Sequence, residues 1–275
     1  MERIQSAIEK AREARADQPS GKAQVIAKTP GAQPVADTLD HWLALEDVPL
    51  KPGALKNSRI LTSEGGVDAA PFDMLRTRVL QQMRANNWRR LAITSPTSGC
   101  GKTTTCCNLA FSLARQADLR TVVLEIDMRR PALAKILGQK RSKHQFAKVL
   151  AGTAAPQDHM FRYGSNLCFG TNHAPQLNPS ELLQSATTKA ALENIEKTLD
   201  PAIMIFDTAP LLASDDTVGF LEQVDCVLLV AEAESTTIDE IDTCERDIAA
   251  HTNVLGVVLN KCRYAGKGYG YSYGY

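Results

Sequence analysis

Hydrophobic residues follow two patterns along this chain, and the two patterns alternate. Short apolar runs of the kind that form buried strands lie at 91–93, 121–127, 167–170, 202–207, 226–231 and 254–259. Before and between these runs, apolar residues recur every three or four positions, which predicts helices over 68–86, across 109–113, and over 178–199 and 238–250. Alternating apolar strands and helices predict an α/β fold with a doubly wound, mostly parallel sheet. Ligands of such sheets bind at the carboxyl ends of the strands.

The remaining parts of the chain show weaker patterns. Residues 1–16 predict an amphipathic helix whose narrow apolar stripe fits either a docking helix for a partner or a fraying terminal helix. Residues 17–55 interrupt their apolar positions with prolines and glycines, which predicts a linker and an irregular segment. We therefore place one α/β domain over 56–263, in which 132–165 reads as short helices and loops, and a flexible tail over 264–275.

Charge and cysteine content exclude several classes of protein. The 275 residues include 31 acidic and 31 basic side chains, so no overall positive charge favours nucleic acid as a partner. The seven cysteines form no C-x-x-C pair, which argues against structural zinc and a disulfide framework. No apolar run is long enough to span a bilayer and the N-terminus has no apolar signal segment, so we expect a cytoplasmic protein.

A phosphate-binding loop is predicted at LAITSPTSGCGKTTTCCNLA, residues 91–110, where a strand, a glycine-containing loop and a helix follow one another. Backbone N–H groups at such a helix start form an anion cradle, in which Lys102 reaches the β- and γ-phosphates and Thr103 ligates Mg²⁺. The first glycine of G-x-x-x-x-G-K-[ST] is replaced here by Pro96. The predicted nucleotide-binding residues of the loop are Ser98, Gly99, Cys100, Gly101, Lys102, Thr103 and Thr104.

Polar residues at the ends of three other strands are expected beside this loop. Asp127 and Asp207 each end an apolar strand, and Asn260 follows the last strand. Two carboxylates near a Mg²⁺–phosphate site, with Thr103, can hold the metal ion or accept a proton from an attacking hydroxyl group. Taken singly, an acid after a strand is usually a turn residue, and the pairing with the loop is what points to a metal site.

The C-terminal segment, RYAGKGYGYSYGY, contains five of the six tyrosines of the chain, many glycines and no acid. It is too rich in glycine to form a core. Such a tail can be a sticky low-complexity segment or stack on a partner. Flexible phenols tethered near an ATP site are better explained as phosphoacceptors, and we predict Tyr269, Tyr271, Tyr273 and Tyr275 in that role.

Together these features resemble the bacterial tyrosine kinases of exopolysaccharide and capsule synthesis. The resemblance covers about residues 56–275 and rests on SPTSGCGKTTTCCNLA, VVLEIDMRRP, NPSELL, IMIFDTAP with Asp216 beyond it, and the tyrosine cluster. It implies a phosphate-loop NTPase fold related to MinD and ParA, a kinase domain over 56–263, ATP and Mg²⁺ as cofactors, and phosphorylation of the chain's own tail. The catalytic residues it implies are Lys102, Glu125, Asp127 and Asp207.

The resemblance also implies partners. It suggests a membrane polysaccharide co-polymerase as activator, a homo-oligomer and a tyrosine phosphatase, with the kinase held at the inner face of the plasma membrane through its partner. The family supports ring assembly with a Glu-x-x-Arg-x-x-Arg helix, whose matching positions here are Ala70, Asp73 and Arg76. Only the last of these keeps the family's residue, which argues against a closed ring.

Two other functions remain open at this point. A MinD- or ParA-like ATPase switch has a similar fold, but its signature lysine five residues before Lys102 is Thr97 here, and it has no reason to carry a tyrosine tail. A non-catalytic nucleotide-binding regulator is favoured by Glu125 alone, since the family's Asp-x-Asp-x-Arg motif begins with Asp. The extra methylene of Glu can displace a reacting group by about 1 Å, enough to slow chemistry.

Overall fold

An eight-stranded sheet runs through the part of the chain that the structure, a computed structural model, describes, which is residues 41–139 and 142–263. Its strands are β1 (Glu46–Asp47), β2 (Arg90–Thr94), β3 (Thr121–Glu125), β4 (Met160–Tyr163), β5 (Leu167–Gly170), β6 (Ile203–Asp207), β7 (Cys226–Glu232) and β8 (Asn253–Asn260). They lie in the order β1-β4-β5-β3-β6-β2-β7-β8, and every neighbouring pair is parallel except β4 with β5. The six predicted strands and the mostly parallel sheet are therefore confirmed.

Helices connect these strands. The described residues form α1 (Pro52–Asn57), α2 (Ala70–Asn86), α3 (Lys102–Ala114), α4 (Leu133–Ile136), α5 (Ala147–Leu150), α6 (Pro156–His159), α7 (Pro179–Leu183), α8 (Ala186–Leu199), α9 (Asp215–Phe220) and α10 (Ile238–Ala249). Short 3₁₀ turns at Val67–Ala69 and Leu221–Gln223 precede α2 and follow α9. None of these helices has the length and apolar character that crossing a lipid bilayer requires.

Helices cover both faces of the sheet, which explains why its central strands carry continuous apolar runs. Along β3, Val122 and Leu124 enter one hydrophobic core, whereas Val123 between them enters the other. The first core is completed by α8 and α10, and the second by α2 and α3. A strand buried on both faces cannot alternate apolar with polar residues, so the continuous runs follow from the doubly wound architecture.

The predicted single helix over 178–199 is wrong, because the structure divides it into α7 and α8. The division lies at Ser185, whose extended backbone starts the second helix and whose hydroxyl group accepts a hydrogen bond from the Thr188 N–H. Serine is a favoured N-cap for this reason. The apolar period continues through the break, since Leu183 and Leu192 reach the same core, and the pattern alone therefore hid it.

The structure adds ordered elements where the sequence predicted irregular chain. Strand β4 lies in the region predicted as short helices and loops, and it pairs with β5 through a tight turn in which Gly164 has a φ of 67°. Strand β1 and helix α1 lie in the segment predicted as irregular, and Trp42 just before them is fully buried. Residues 41–55 thus contribute buried side chains to the domain, which starts earlier than the boundary predicted at 56. Strand β1, only two residues long, exists because it pairs with β4.

One further predicted helix is confirmed, and three predictions concern residues that the structure does not describe. The helix predicted over 68–86 is confirmed as the 3₁₀ turn and α2, which ends where Asn87 adopts a left-handed φ of 55°. The predicted helix over 1–16, residues 17–40 of the predicted linker, and the tail at 264–275 lie outside the described residues.

Candidate nucleotide-binding site

The register of the central strands brings the predicted site residues to one edge of the sheet. Asp207, the last residue of β6, is opposite Ile93 of β2 on one side and Glu125 of β3 on the other. Strand β2 leads into the predicted phosphate loop, and β3 leads to Asp127. The loop and the acidic strand ends therefore meet at the carboxyl ends of adjacent parallel strands, as this fold class predicts.

The loop between β2 and α3 is a compact turn made by its glycines. Gly99 and Gly101 each have a φ of 93°, a backbone conformation that glycine adopts without strain. Two backbone carbonyl groups at the start of the loop, those of Ser95 and Pro96, accept hydrogen bonds from the N–H groups of Leu211 and Leu212. These bonds attach the loop to the segment that follows β6, so its shape depends on the neighbouring strand.

The far side of the loop is held by the last strand. The Asn260 side-chain amide donates a hydrogen bond of 2.8 Å to the Cys100 carbonyl oxygen. A Cβ atom at Gly101 would collide with that same amide, so glycine is required there both by its φ and by the space available. The prediction that Asn260 lies at the site is thus supported by direct contact with the loop, although its effect on a nucleotide stays a prediction.

Helix α3 begins at Lys102, directly after the loop. Gly101 caps it without a side chain, so the N–H groups of the first turn are not used by a capping residue. The predicted loop residues line this helix start at different depths: Ser98 and Gly99 are exposed, Gly101, Lys102 and Thr104 are half-buried, and Cys100 and Thr103 are buried. An unused helix start of this kind favours an anion.

Lys102 connects the loop to the acidic strand ends. Its Nζ atom lies 2.8 Å from the Asp127 Oδ2 atom in a largely buried ion pair. Burial works against the positive charge, but Asp207 and Asp127 outweigh it and raise the pKa of the Lys102 ammonium group. The lysine is therefore charged at neutral pH, and its flexible stem allows it to exchange Asp127 for another anion nearby.

Asp207 has the least satisfied side chain at the site. Both of its carboxylate oxygen atoms are buried, and among the described residues no group donates a hydrogen bond of normal geometry to them. Burial raises the pKa of this carboxyl group to about 6, against the opposing effect of Lys102. An orphaned carboxylate that faces a lysine and the buried Thr103 has the oxygen chemistry that Mg²⁺ prefers. These residues fit a divalent cation.

Asp127 is held by its backbone as well as by Lys102. Its N–H group donates a hydrogen bond of 3.0 Å to the Asp207 carbonyl oxygen, and its Oδ1 atom accepts a hydrogen bond of 3.1 Å from the Arg130 N–H. One carboxylate oxygen thus fixes the following turn while the other faces Lys102. Both Asp127 and Asp207 act on the charge of that lysine, so the two acids and Lys102 share one neighbourhood at the strand ends.

Glu125 was predicted to be catalytic, and its side chain is fully buried. Its carboxylate accepts hydrogen bonds from the backbone N–H groups of Ala132, Leu133 and Asn172 at 2.6, 2.6 and 2.7 Å. Burial raises its pKa to about 7, although these N–H groups oppose the rise. Both oxygen atoms of Glu125 are therefore engaged by the chain itself.

Arg129 and Asp216 lie 87 residues apart, and no local pattern connects them. In the structure, Arg129 forms a two-point ion pair with the buried Asp216, with Nε–Oδ2 and Nη2–Oδ1 distances of 2.5 and 2.9 Å. The Ser180 hydroxyl group at the start of α7 also donates to Asp216. These hydrogen bonds outweigh burial and lower the pKa of Asp216. The motifs VVLEIDMRRP and NPSELL thus meet in space, a link that their separation in sequence concealed.

The positions matching the family's ring-support helix are used within this chain. Asp73 of α2 accepts a hydrogen bond from the hydroxyl group of Ser112, which lies in the last turn of α3. It also forms an ion pair with Arg115, the C-cap residue of α3. Arg76 donates to the Ser112 carbonyl oxygen at 3.0 Å. Ala70 is exposed at the first position of α2. The Asp73 and Arg76 side chains therefore link α2 to α3.

Comparison with known families agrees with this geometry. The profile of the CobQ/CobB/MinD/ParA nucleotide binding domain matches residues 91–268, which include the phosphate loop, Glu125, Asp127, Asp207 and Asn260. This chain belongs to that family. The fold class and nucleotide binding predicted from the sequence are thereby confirmed.

Individual relatives are named as tyrosine kinases. The tyrosine-protein kinase CpsD of Streptococcus pneumoniae serotype 4 is 27% identical over 191 residues, which are 69% of this chain and 83% of CpsD. EpsB of Ralstonia solanacearum, whose name also contains the term tyrosine-protein kinase, is 31% identical over 207 residues, which are 73% of this chain but 27% of EpsB. The chain thus spans only about a quarter of the length of the first curated relatives it matches.

A solved structure gives the same result. The kinase domain of the Escherichia coli tyrosine kinase ETK superposes with a TM-score of 0.65 at 27% identity, over 76% of this chain and 80% of that domain. The predicted resemblance to bacterial tyrosine kinases is confirmed by these similarities.

Proposed function

We propose that this chain is an ATP-dependent protein-tyrosine kinase whose substrates include the tyrosines of its own C-terminal segment. One observation carries the proposal: Lys102, Asp127 and Asp207 converge beside a phosphate loop at the carboxyl edge of the sheet. The similarity to proteins named as tyrosine kinases supports the choice of phosphoryl transfer to tyrosine over other reactions of this fold.

Each part of the site has a role in binding MgATP. The N–H groups at the start of α3 would receive the phosphates, and Lys102 would move from Asp127 to the β- and γ-phosphates. Thr103 and Asp207 would hold Mg²⁺, with the Asp127 carboxylate beside it, and the bound ion would neutralise charge on the phosphates. The orphaned Asp207 oxygen atoms are the observation that supports this assignment.

The transfer step places one demand on the protein. The phenolic oxygen of tyrosine bonds to the γ-phosphorus while the bond from that phosphorus to the β–γ bridging oxygen breaks, and ADP leaves with the electron pair. The phenolic proton must pass to a base within hydrogen-bond reach. Asp127 is the carboxylate that fits, because it borders Lys102 and is released when the lysine turns to the phosphates.

The point in the sequence at which the tail follows β8 supports the tyrosine cluster as substrate. Strand β8 ends at Asn260, which contacts the phosphate loop through Cys100, and the tail follows three residues later. Tyr269, Tyr271, Tyr273 and Tyr275 are therefore tethered to the edge of the sheet at which ATP would bind. Tethering gives them a high effective concentration near the site.

The biological setting that we propose follows the family resemblance. The kinase would act in the cytoplasm at the inner face of the plasma membrane, where a membrane polysaccharide co-polymerase activates it during exopolysaccharide or capsule synthesis. A homo-oligomer and an opposing tyrosine phosphatase belong to the same proposal. No role in binding nucleic acid is proposed, since the net charge is zero.

Purified chain incubated with MgATP tests the activity. We expect phosphotyrosine, detected by antibody and located by mass spectrometry, to accumulate together with ADP, and the Lys102→Met variant to form neither. If the chain forms ADP but no phosphotyrosine, both with and without a co-polymerase cytoplasmic segment, the kinase proposal is wrong and an ATPase switch is the better explanation. Nucleotide binding without ADP would leave a non-catalytic regulator.

A further inference from the structure

Glu125 joins two loops at the carboxyl edge of the sheet. Its Oε1 atom accepts from the N–H groups of Ala132 and Leu133, and its Oε2 atom accepts from the N–H of Asn172. We call the Glu125 carboxylate with these three N–H groups the Glu125 clamp. The three N–H···O distances, 2.6, 2.6 and 2.7 Å, lie at the short end of the range for such hydrogen bonds, so the two loops are joined to the end of β3.

The clamp is extended by the Asn172 side chain. Its Nδ2 atom donates to the Glu125 carbonyl oxygen at 3.2 Å, and its Oδ1 atom accepts from the Ala147 N–H at 2.9 Å. The end of β3, the loop after β5 and the start of α5 are therefore linked through one glutamate and one asparagine. All of these polar groups are buried.

Asp127 lies in the loop that connects the end of β3 to α4, and the Glu125 clamp fixes the α4 end of that loop. At the near end, the N–H groups of Ile126 and Asp127 both donate to the Asp207 carbonyl oxygen. At the far end, the clamp fixes Ala132 and Leu133, where α4 begins. The short loop between these anchors carries Asp127 toward Lys102, so the loop's shape determines where that carboxylate points.

The same geometry leaves Glu125 unsuited to act as a base. A general base must reach the proton that it removes, directly or through one water molecule. The Glu125 side chain has no solvent-exposed surface, and each of its oxygen atoms already accepts a hydrogen bond from the backbone. The length of glutamate also matters, because an aspartate carboxylate on the same backbone is one methylene shorter and would not span both loops.

We propose that Glu125 is a positioning residue that holds the loop over 126–133 in the shape that presents Asp127 to the metal and phosphate site. The part of this inference that concerns the reaction rests on the proposed function, whereas the anchoring of the loops does not. Glu125 thus replaces an expected reacting carboxylate with a structural one, and leaves the proton to Asp127.

Amide hydrogen exchange on the full chain tests the anchoring. In the wild-type protein, the Ala132, Leu133 and Asn172 amides should exchange far more slowly than exposed loop amides. In Glu125→Gln, one oxygen becomes an N–H₂ donor that faces backbone donors, and exchange at these positions should rise roughly 10- to 100-fold. Fast exchange at all three amides in the wild-type protein would overturn the clamp, whether or not any variant folds.

Kinetics separate a positioning residue from a base. We expect Glu125→Asp, the milder variant, to raise the KM for MgATP several-fold while lowering kcat, because the shorter side chain lets Asp127 shift. Asp127→Asn is the matched comparison: it should lower kcat but leave exchange at Leu133 unchanged. A Glu125→Gln or Glu125→Asp variant with wild-type exchange and KM but a kcat reduced more than about 100-fold would identify a base instead. If the Ala132, Leu133 and Asn172 amides exchange slowly in the wild-type protein but the chain makes no phosphotyrosine, the proposed function is wrong and the Glu125 clamp is retained.

Discussion

Three carboxylates and one lysine lie together at the end of the sheet, and their surroundings differ. Glu125 is occupied by backbone donors, Asp127 is shared between Lys102 and the Arg130 N–H, and Asp207 has no donor of normal geometry within the described part of the chain. A buried polar group without a partner costs stability. The protein therefore keeps one carboxylate in a destabilised state at the position where a metal ion would bind.

That destabilisation predicts a pH dependence. The pKa of Asp207 is raised from 3.8 to about 6 in the folded state. Between these values the folded protein binds more protons than the unfolded chain, so the free energy of unfolding falls as pH rises. In metal-free protein, Asp207→Asn should remove this slope and add stability at pH 7 on the order of 3 kcal/mol.

Urea unfolding at several pH values from 4 to 7, with a chelator present, measures this effect. Glu125 also has a raised pKa and contributes a slope of the same sign in both proteins, so the difference between wild type and variant isolates Asp207. Parallel curves for the two proteins would show that Asp207 is ionised in the folded state as readily as in the unfolded chain.

Lys102 offers a second prediction for a single residue. Replacing it by methionine keeps an unbranched side chain of nearly the same length but removes the charge that faces Asp127 and Asp207. We expect affinity for MgATP to fall at least about tenfold, since a charged contact to phosphate is lost. Lys189→Met, an exposed position in α8, is the control and should bind as the wild type does. Titration calorimetry of both variants measures this, and equal affinities would remove the loop from the binding site.

The elements that sequence predicted well are those whose signals are local. The apolar runs of β2, β3 and β6 and the Gly-Lys-Thr turn each lie within a few residues, and adjacent parallel strands necessarily place their ends together. Sequence could not show β1 or β4, because a two-residue strand and a short hairpin exist only through pairing. The partners of Glu125 and Asp216 were hidden for the same reason: they lie up to 87 residues away along the chain.

Strand β8 takes part in the site through one side chain. Asn260 holds the Cys100 carbonyl oxygen, and Asn253 makes a similar 2.8 Å hydrogen bond to the Asp225 carbonyl oxygen at the opposite end of the same strand. Asn260→Ala should lower affinity for MgADP roughly 2- to 12-fold, the range expected for one neutral hydrogen bond that preorganises the loop. Asn253→Ala is its matched control and should leave affinity unchanged. Fluorescence titration with a labelled nucleotide distinguishes them, and a loss common to both variants would indicate a general effect on β8.

At the scale of the whole molecule, the order of elements determines what can reach the site. Strand β8, the last strand within the described residues, lies at one edge of the sheet, and it ends beside the phosphate loop. Whatever follows it therefore starts at the site. The following segment carries Arg263 and Lys267 and no acid, so each phosphate added to it changes a basic segment by about −1.5 to −2 charges.

The position of the tail predicts which tyrosines are modified. From Arg263 to Tyr275 an extended chain spans at most about 40 Å, so the distal phenols can turn back to the site or reach a neighbouring one. Tyr163 is fixed in β4 and is not part of this segment. After treatment with MgATP, mass spectrometry should find phosphate on Tyr269, Tyr271, Tyr273 or Tyr275. A variant with all four changed to phenylalanine should bind nucleotide normally yet lose most phosphotyrosine, because its tethered acceptors are gone. If that variant retained the wild-type level of phosphotyrosine, the acceptors would lie elsewhere, and the tail would need a different role.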